Sequence, residues 1–204
     1  MITKSNQPPM SLSAALFDHE LEESTARAHA FRIDVSQNER EAPEHQHRKG
    51  QLVMALRGGI TCRVPSGMWM VPPHCGVWVP GGMPHSNVAT ANARLFFLFI
   101  EPGAADLPDR CCTLSLSPLV RELIIEMADQ SEVAMVDAEL FTTLLLSALS
   151  RMPIEDLHLP ITDEPRLARI ASALVDDPSD RSTIARWATR VALGENSLAR
   201  LLQR

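Results

Sequence analysis

Hydrophobic and polar residues alternate along the chain from about residue 28 onward. Phe31, Ile33 and Val35 fall on one face of an extended segment and Arg32 and Asp34 on the other, a period of two that is typical of a half-buried strand. Short apolar segments of this kind recur, separated by glycine and proline turns. They are 51–57, 59–64, 67–71, 75–79, 85–89 and 94–100. Many short strands joined by close turns predict a β-sandwich or β-barrel.

After Pro108 the apolar positions recur about every 3.6 residues, which predicts helices. Ser117 is a candidate N-cap and Pro118 stands at the start of the first helix. The second helix is expected at 138–149. The two apolar stripes consist of Leu119, Leu123, Ile124 and Met127, and of Leu140, Leu144, Leu145 and Leu149. Such stripes indicate core, or alternatively an apolar seam between two subunits.

Three further helical patterns follow a segment marked by two prolines. They are expected at 166–176, 182–191 and 195–204, with Ser182 as a candidate cap. Their inward residues are expected to be Leu167, Ile170, Ala171, Leu174, Ile184, Trp187, Ala188, Val191, Leu198, Leu201 and Leu202. The last two patterns are joined by a tight turn at 192–194, and this predicts a helix-turn-helix whose second helix would enter the major groove of DNA.

Three histidines suggest chemistry in the β-rich half. His45 and His47 are two residues apart, so both would point the same way from a strand, and His85 follows a turn rich in glycine and proline. Neutral imidazole is a common ligand of zinc, nickel, copper and iron. We therefore predict a divalent metal site formed by His45, His47, His85 and Gln51. The alternative is that the imidazoles only hydrogen-bond one another, or water, around an organic ligand.

Composition narrows the class of protein. The chain has 204 residues, of which 45% are hydrophobic, and a formal net charge of −6. Its longest apolar run, 95–100, is too short to cross a bilayer, and its polar start does not have the layout of a signal peptide, so a cytoplasmic protein without a membrane partner is expected. The four cysteines lack metal-finger spacing and are expected to be reduced. Residues 165–204 carry seven arginines against four acidic residues, which suits nucleic-acid binding or a solvated surface equally.

Two motifs resemble known families. The spacing His-x-His-x3-Gln-x6-Gly from His45, followed by Pro-x-Gly-x2-His ending at His85, is similar to the two motifs of the cupin superfamily. The C-terminal pattern Asp-Pro-x-Asp-Arg-Ser-x4-Trp-Ala-x2-Val, at 177–191, looks like the AraC/XylS family of transcriptional regulators. Together they imply a regulator whose cupin domain senses a metal or small molecule and whose helices pair two subunits into a homodimer.

The resemblance implies a mixed fold, β and then α. Its parts are a disordered arm at 1–12, a cupin β-barrel (double-stranded β-helix) at 13–112, a helical pairing segment at 113–152, a linker at 153–164 and a partial helix-turn-helix at 165–204. The implied DNA-binding residues are Glu195, Asn196, Arg200 and Gln203. Because the family carries two helix-turn-helix units, a chain that ends within the first is expected to bind operator DNA weakly on its own.

Three classes of function remain open. The leading one is a transcriptional regulator that is not an enzyme, since no Gly-x-Ser-x-Gly elbow or phosphate-binding loop occurs. A metal-dependent cupin enzyme, such as an isomerase or dioxygenase, is an alternative, but Gln51 stands where those enzymes usually place Glu. A dimerising antagonist of full-length regulators is the third.

Overall fold

The protein is described here from a computed structural model. The described residues are 12–13, 25–35, 41–129, 138–155, 157, 159–160, 164–177 and 180–202. The chain divides into two compact units, Met1–His158 and Leu159–Arg204. Most of the predicted arm at 1–12 lies outside the described residues, but Leu12 itself is fully buried in the core of the first unit. No helix in the described ranges is long and apolar enough to cross a membrane.

The first unit is rich in short strands, followed by two helices. The strands are β1 (Ala28–Asp34), β2 (Glu41–His45), β3 (Gly50–Arg57), β4 (Ile60–Val64), β5 (Gly67–Met70), β6 (Cys75–Val79), β7 (His85–Ala89), β8 (Arg94–Ile100), β9 (Cys112–Ser115) and β10 (Ile154–Glu155). The helices are α1 (Pro118–Asp129) and α2 (Ala138–Leu149). The second unit contains β11 (Leu159–Pro160), α3 (Pro165–Asp176), α4 (Ile184–Arg190) and α5 (Glu195–Leu201).

The strands of the first unit form two antiparallel sheets. One sheet has the order β1-β8-β3-β6-β9-β10, and the other contains β5-β4-β7-β2. The first three strands along the chain alternate between the sheets, so the chain crosses repeatedly from one sheet to the other. This double-sheet jelly roll is the architecture to which cupins belong. The predicted fold class, a cupin followed by helices, is confirmed, with two facing sheets in place of one closed barrel.

The first sheet is covered on both faces. Its inward side chains, such as Val53 and Phe97, share one core with Cys62 and Ala89 of the second sheet. Its outward side chains pack in a second core against α1 and α2. Because both faces are buried, β8 is apolar along almost its whole length and does not alternate. The helices therefore serve as the cover of a sheet.

Three strands of the first unit were not predicted, for physical reasons, and neither was β11 of the second unit. β2 carries Pro43 and two glutamates at the edge of the second sheet, a composition that edge strands tolerate and that shows no apolar alternation. β9 starts at Cys112, where the predicted cupin domain ends, and continues the first sheet. β10 lies within the predicted linker and pairs with β9. These short pairings depend on neighbours that are distant in sequence.

The helical stripes of the first unit are confirmed in part, since Leu123, Ile124, Leu145 and Leu149 are buried as predicted. Ser117 caps α1 as expected, because its Oγ accepts a hydrogen bond from the Val120 N–H at 3.3 Å. However, Leu119, Leu140 and Leu144 are 53%, 69% and 46% exposed, so their assignment to the core is wrong. The packing of α1 and α2 against the first sheet buries neighbouring residues of the helices instead. The buried helical residues are Val120, Leu123, Ile124, Leu145, Leu146, Ala148 and Leu149.

The second unit has a small core of its own around Trp187, which is buried as predicted. The cap of α4 is Thr183 and not Ser182, since the Thr183 Oγ1 accepts a hydrogen bond from the Arg186 N–H at 3.4 Å. Ile184 and Leu202 are 37% and 58% exposed, so their predicted inward positions are also wrong. Both residues stand at the end of a short helix, where few neighbours are available to cover them.

Candidate metal centre and DNA-reading helix

The three predicted histidines come together at one end of the jelly roll. His45 ends β2 and is the register partner of His85, which begins β7. The imidazole centroids are 4.3 Å apart for His45 and His85, 4.9 Å for His47 and His85, and 5.9 Å for His45 and His47. Within the described part of the chain, these residues form the one cluster of potential ligands, with ligand atoms within 4.8 Å of one another.

The sequence predicts that His45 and His47 point the same way because they lie on one strand, and this reason is wrong for His47. His47 lies beyond the end of β2, so it does not share a strand face with His45, and the β2–β7 register shifts between Ala42 and His45. The position of His47 depends on a close chain approach instead. The Gly82 N–H donates a hydrogen bond to the His47 carbonyl at 2.8 Å, and a Cβ on Gly81 would lie 2.0 Å from the Arg48 carbonyl oxygen. Only glycine fits at residue 81.

Backbone carbonyls fix the orientation of all three imidazoles. The Nδ1 atoms of His45, His47 and His85 lie 2.7, 2.6 and 2.8 Å from the carbonyl oxygens of Pro43, Lys49 and Met83. A carbonyl oxygen only accepts hydrogen bonds, so each Nδ1 carries the proton and donates it. In its neutral form, each ring therefore presents the lone pair of its Nε2. This second layer of hydrogen bonds is the arrangement that orients metal-ligating histidines.

Burial favours the neutral form of the His45 and His85 rings. Desolvation is the main cause that lowers the pKa of His85 to about 4, and the neighbouring His45 and His47 rings lower it further, against the opposing hydrogen bond to Met83. Desolvation likewise lowers the pKa of His45, with a smaller contribution from His47. A neutral imidazole is the form that binds a metal ion. At neutral pH the site therefore does not need to release protons from these two rings.

Gln51 lies beside the histidines, as the sequence predicted. It is the second residue of β3, its side chain is fully buried, and its Oε1 lies 3.3 Å from the His47 Nε2. With the Nδ1 of His47 protonated, these two facing atoms are both acceptors, an arrangement that a cation between them would stabilise. Two ligand atoms of a tetrahedral metal at about 2.1 Å lie about 3.4 Å apart, so the spacing fits a shared ion.

Asn87 is a polar residue of this region that the sequence analysis missed. It is two residues after His85 on β7, so both side chains point to the inner face, and it is fully buried. Neither its Nδ2 nor its Oδ1 has a hydrogen-bond partner among the described residues. The period of two counted from His85 is the signal that could have identified it.

The second unit presents the predicted helix-turn-helix. Glu195, Asn196 and Arg200 are exposed on α5, while Leu198 holds the helix against the core. Asn196 and Arg200 are four residues apart and therefore share one face of the helix. Gln203, the fourth predicted DNA-binding residue, lies outside the described residues. The exposed face offers both an amide and a guanidinium, the groups that read adenine and guanine in the major groove.

The turn before α5 departs from ideal geometry. Ala192 adopts φ +54°, a left-handed conformation that glycine adopts more readily. Gly194 occupies the N-cap of α5 and supplies no side-chain cap. Opposite the turn, Arg190 stacks on the Trp187 ring at 4.5 Å and donates to Asp180 at 2.8 Å. These contacts hold α4 to the segment that precedes it.

Comparison with known proteins identifies a relative. The chain is 43% identical over 175 residues to the HTH-type transcriptional regulator NimR of Escherichia coli (strain K12), an alignment that covers 85% of this chain and 64% of that protein. The chain is a homologue of a helix-turn-helix transcriptional regulator. This relation bears out the resemblance drawn from the C-terminal motif. The chain spans slightly less than two thirds of the relative's length. No protein-family model matches the chain.

Solved structures give weaker similarities. Apo ToxT K231A from Vibrio cholerae aligns with a TM-score of 0.43 and 8% identity, covering 88% of this chain and 76% of that one. A cupin-2 domain protein from Shewanella frigidimarina aligns with a TM-score of 0.33 and 11% identity, covering 38% of this chain and 74% of that one. The jelly-roll assignment stands on the strand order and not on these scores.

Proposed function

We propose that this protein is a transcriptional regulator in which α4, the turn and α5 read DNA and the jelly-roll unit senses a ligand. The observation that carries the proposal is the 43% identity to an HTH-type transcriptional regulator. The exposed polar face of α5 supports it, since Asn196 and Arg200 are suited to adenine and guanine edges. Glu195 in the first turn could accept a hydrogen bond from cytosine N4.

A fluorescence anisotropy titration with DNA from upstream of the protein's own gene tests this proposal. We expect binding at low salt that weakens as salt is raised, because phosphate contacts release counterions. Arg200→Ala should weaken binding about tenfold or more, the usual cost of losing a bidentate base contact. Arg169→Ala is the control, since that exposed arginine lies on α3, outside α4, the turn and α5. No binding at low salt by the unaltered protein would contradict the proposal.

We further propose that His45, His47, His85 and Gln51 hold a divalent metal such as zinc or nickel. The three Nε2 lone pairs, fixed by backbone carbonyls, and the Gln51 oxygen form the ligand set. Nitrogen and oxygen ligands of this kind suit zinc and nickel. When bound, the ion would supply a Lewis-acidic position for an effector. The protein's own residues orient the rings and exclude water around them.

Elemental analysis of the untagged protein tests the metal proposal. We expect about one divalent ion per chain. His85→Ala should reduce the content to background, because it removes a buried ligand. His74→Asn is a matched control: His74 is exposed, and Asn tolerates its left-handed φ of +63°. A wild-type protein that binds no zinc, nickel or cobalt when dialysed against each would contradict this part of the function.

We also propose that α1 and α2 pair two copies of the chain into a homodimer. Leu119, Leu140 and Leu144 are exposed on these helices, and Leu140 and Leu144 are one turn apart on the same face. Exposed leucines in register on a helix are typical of a surface that another helix covers. The pairing would bring two DNA-reading units into one molecule, which suits a regulator that binds paired half-sites.

A further inference from the structure

The ligand set of the candidate metal centre carries no negative charge. Three neutral imidazoles and one carboxamide would surround an ion of charge +2, and the buried polar side chains among the described residues include no carboxylate. Glu101 is engaged elsewhere, by Arg48 and by Lys49 at 4.0 Å, and Glu44 is exposed. An ion in a desolvated site is costly unless a counter-charge accompanies it. The protein does not provide that counter-charge from the described residues.

Two buried carboxamide groups have unused hydrogen-bonding atoms: Gln51 lies beside His47, and Asn87 faces the interior two residues after His85 on β7. The Gln51 Nε2, the Asn87 Nδ2 and the Asn87 Oδ1 are buried and have no partner among the described residues. Both side chains are 0% exposed. A buried polar group without a partner destabilises the fold, so its presence in a core needs a functional explanation. Two of the three atoms are donors, and donors are the groups that bind an anion.

We propose that the effector of this centre is a small carboxylate that binds at the metal as its counter-charge. One carboxylate oxygen would ligate the ion, and the carboxylate would accept hydrogen bonds from the Gln51 Nε2 and the Asn87 Nδ2. The Asn87 Oδ1 remains as an acceptor, so a carboxylate that also carries a hydroxyl group would satisfy all three atoms. This inference rests on the proposed metal site and adds the chemical class of the ligand.

Cobalt-loaded protein gives a direct test, because the visible spectrum of Co²⁺ responds to a change in its ligands. The probes are acetate, glycolate and acetamide, which present a carboxylate, a hydroxycarboxylate and a neutral amide of similar size. We expect acetate to change the spectrum saturably, glycolate to bind more tightly than acetate, and acetamide to have no effect at the same concentrations.

Two variants test the counter-charge and the hydrogen bonds. Gln51→Glu places a carboxylate in the protein itself and removes the Gln51 Nε2 donor, so cobalt should stay bound while acetate binding weakens about tenfold or more, since the ion's charge is then partly compensated and one hydrogen bond is lost. Asn87→Leu should retain cobalt and weaken acetate about tenfold, the usual effect of removing a hydrogen bond to a charged group. Asn92→Gly is the control, because Asn92 is exposed with φ +57° and should leave acetate binding unchanged.

The thermal midpoint of the metal-free protein distinguishes ligand recognition from a structural role of Asn87. If Asn87 is kept for a ligand, Asn87→Leu should unfold at the same temperature as wild type or higher, because it removes a buried amide without partners. A clear fall in the midpoint would overturn the proposal. So would equal responses to acetate and acetamide, or acetate binding that Gln51→Glu leaves unchanged. If the wild-type protein shows no cobalt spectrum at all, the proposed metal site is wrong, which is a different result from a metal site that binds no carboxylate.

Discussion

Single residues decide how closely the chain segments around the histidines approach one another. Gly81 illustrates this: its missing side chain leaves room for the Arg48 carbonyl, and that contact keeps the segment 47–49 against the turn before His85. The His47 ring is then held by the Lys49 carbonyl. Glycine is required here by contact distance and not by an unusual φ angle. The candidate metal centre therefore depends on a residue that is not one of its proposed ligands.

Gly81→Ala should destabilise the first unit, because the new Cβ would lie 2.0 Å from a backbone oxygen that cannot move freely. We expect a loss of about 1–3 kcal/mol in the free energy of unfolding, as for other overpacked sites. Urea denaturation followed by circular dichroism measures it. Gly59→Ala is the matched control, since the nearest atom to a Cβ there is 3.9 Å away. Equal stability of the two variants would show that the turn adjusts without cost.

Asp180 should make the second unit sensitive to acid. Hydrogen bonds from Ser182 and Arg190 lower the pKa of Asp180 to about 2. A carboxyl with a lowered folded-state pKa stabilises the fold above its unfolded pKa of about 3.9, and that contribution is lost as the pH falls through about 2. We expect Asp180→Asn to lower the thermal midpoint at pH 7 and to differ less from wild type at pH 2.5. A difference that stays constant between the two pH values would contradict this.

At the scale of elements, the boundaries of the helices are set by capping hydrogen bonds that the sequence allows in more than one way. Ser182 and Thr183 are adjacent residues of similar capping ability, and α4 uses Thr183. The backbone N–H of Ser182 instead donates to Asp180 at 2.6 Å. The choice between the two residues follows from where the chain turns into the core around Trp187.

Thr183→Ala should therefore destabilise α4 by about 1 kcal/mol, the usual cost of losing an N-cap side chain. Thr183→Ser keeps the hydroxyl and should restore most of the stability. Thermal unfolding of the intact protein, followed by Trp187 fluorescence with both other tryptophans replaced by phenylalanine, reports on this unit. If Thr183→Ser is as unstable as Thr183→Ala, the methyl packing of threonine and not the cap is responsible.

At the scale of the whole molecule, the protein combines a jelly roll that carries the candidate metal centre with a small helical unit that resembles a DNA reader. The helices of the first unit cover the outer face of one sheet and leave leucines exposed on their far side. That arrangement explains why an apolar α2 is only partly buried. The exposed leucines are the surface on which we expect a second copy of the chain to pack.

Leu140→Glu combined with Leu144→Glu should convert the proposed dimer into a monomer, since two charges would enter an apolar interface. Sedimentation velocity over a range of protein concentrations measures the change. Met70→Glu is the control, because Met70 is 54% exposed on β5 of the second sheet, whereas α1 and α2 pack on the first sheet. A wild-type protein that sediments as a monomer at all concentrations would rule out the pairing.

The sequence by itself determined the helices, most of the strands and the ligand candidates, because periodicity and glycine–proline turns are local properties. It identified His45, His47, His85 and Gln51 from spacing, and Trp187 from its place in a helical stripe. The tertiary structure alone decided that His47 reaches the others from outside a strand, that Leu140 is exposed, and that Asn87 is buried beside the site. These outcomes depend on contacts between segments distant in the chain, for which a local pattern contains no information.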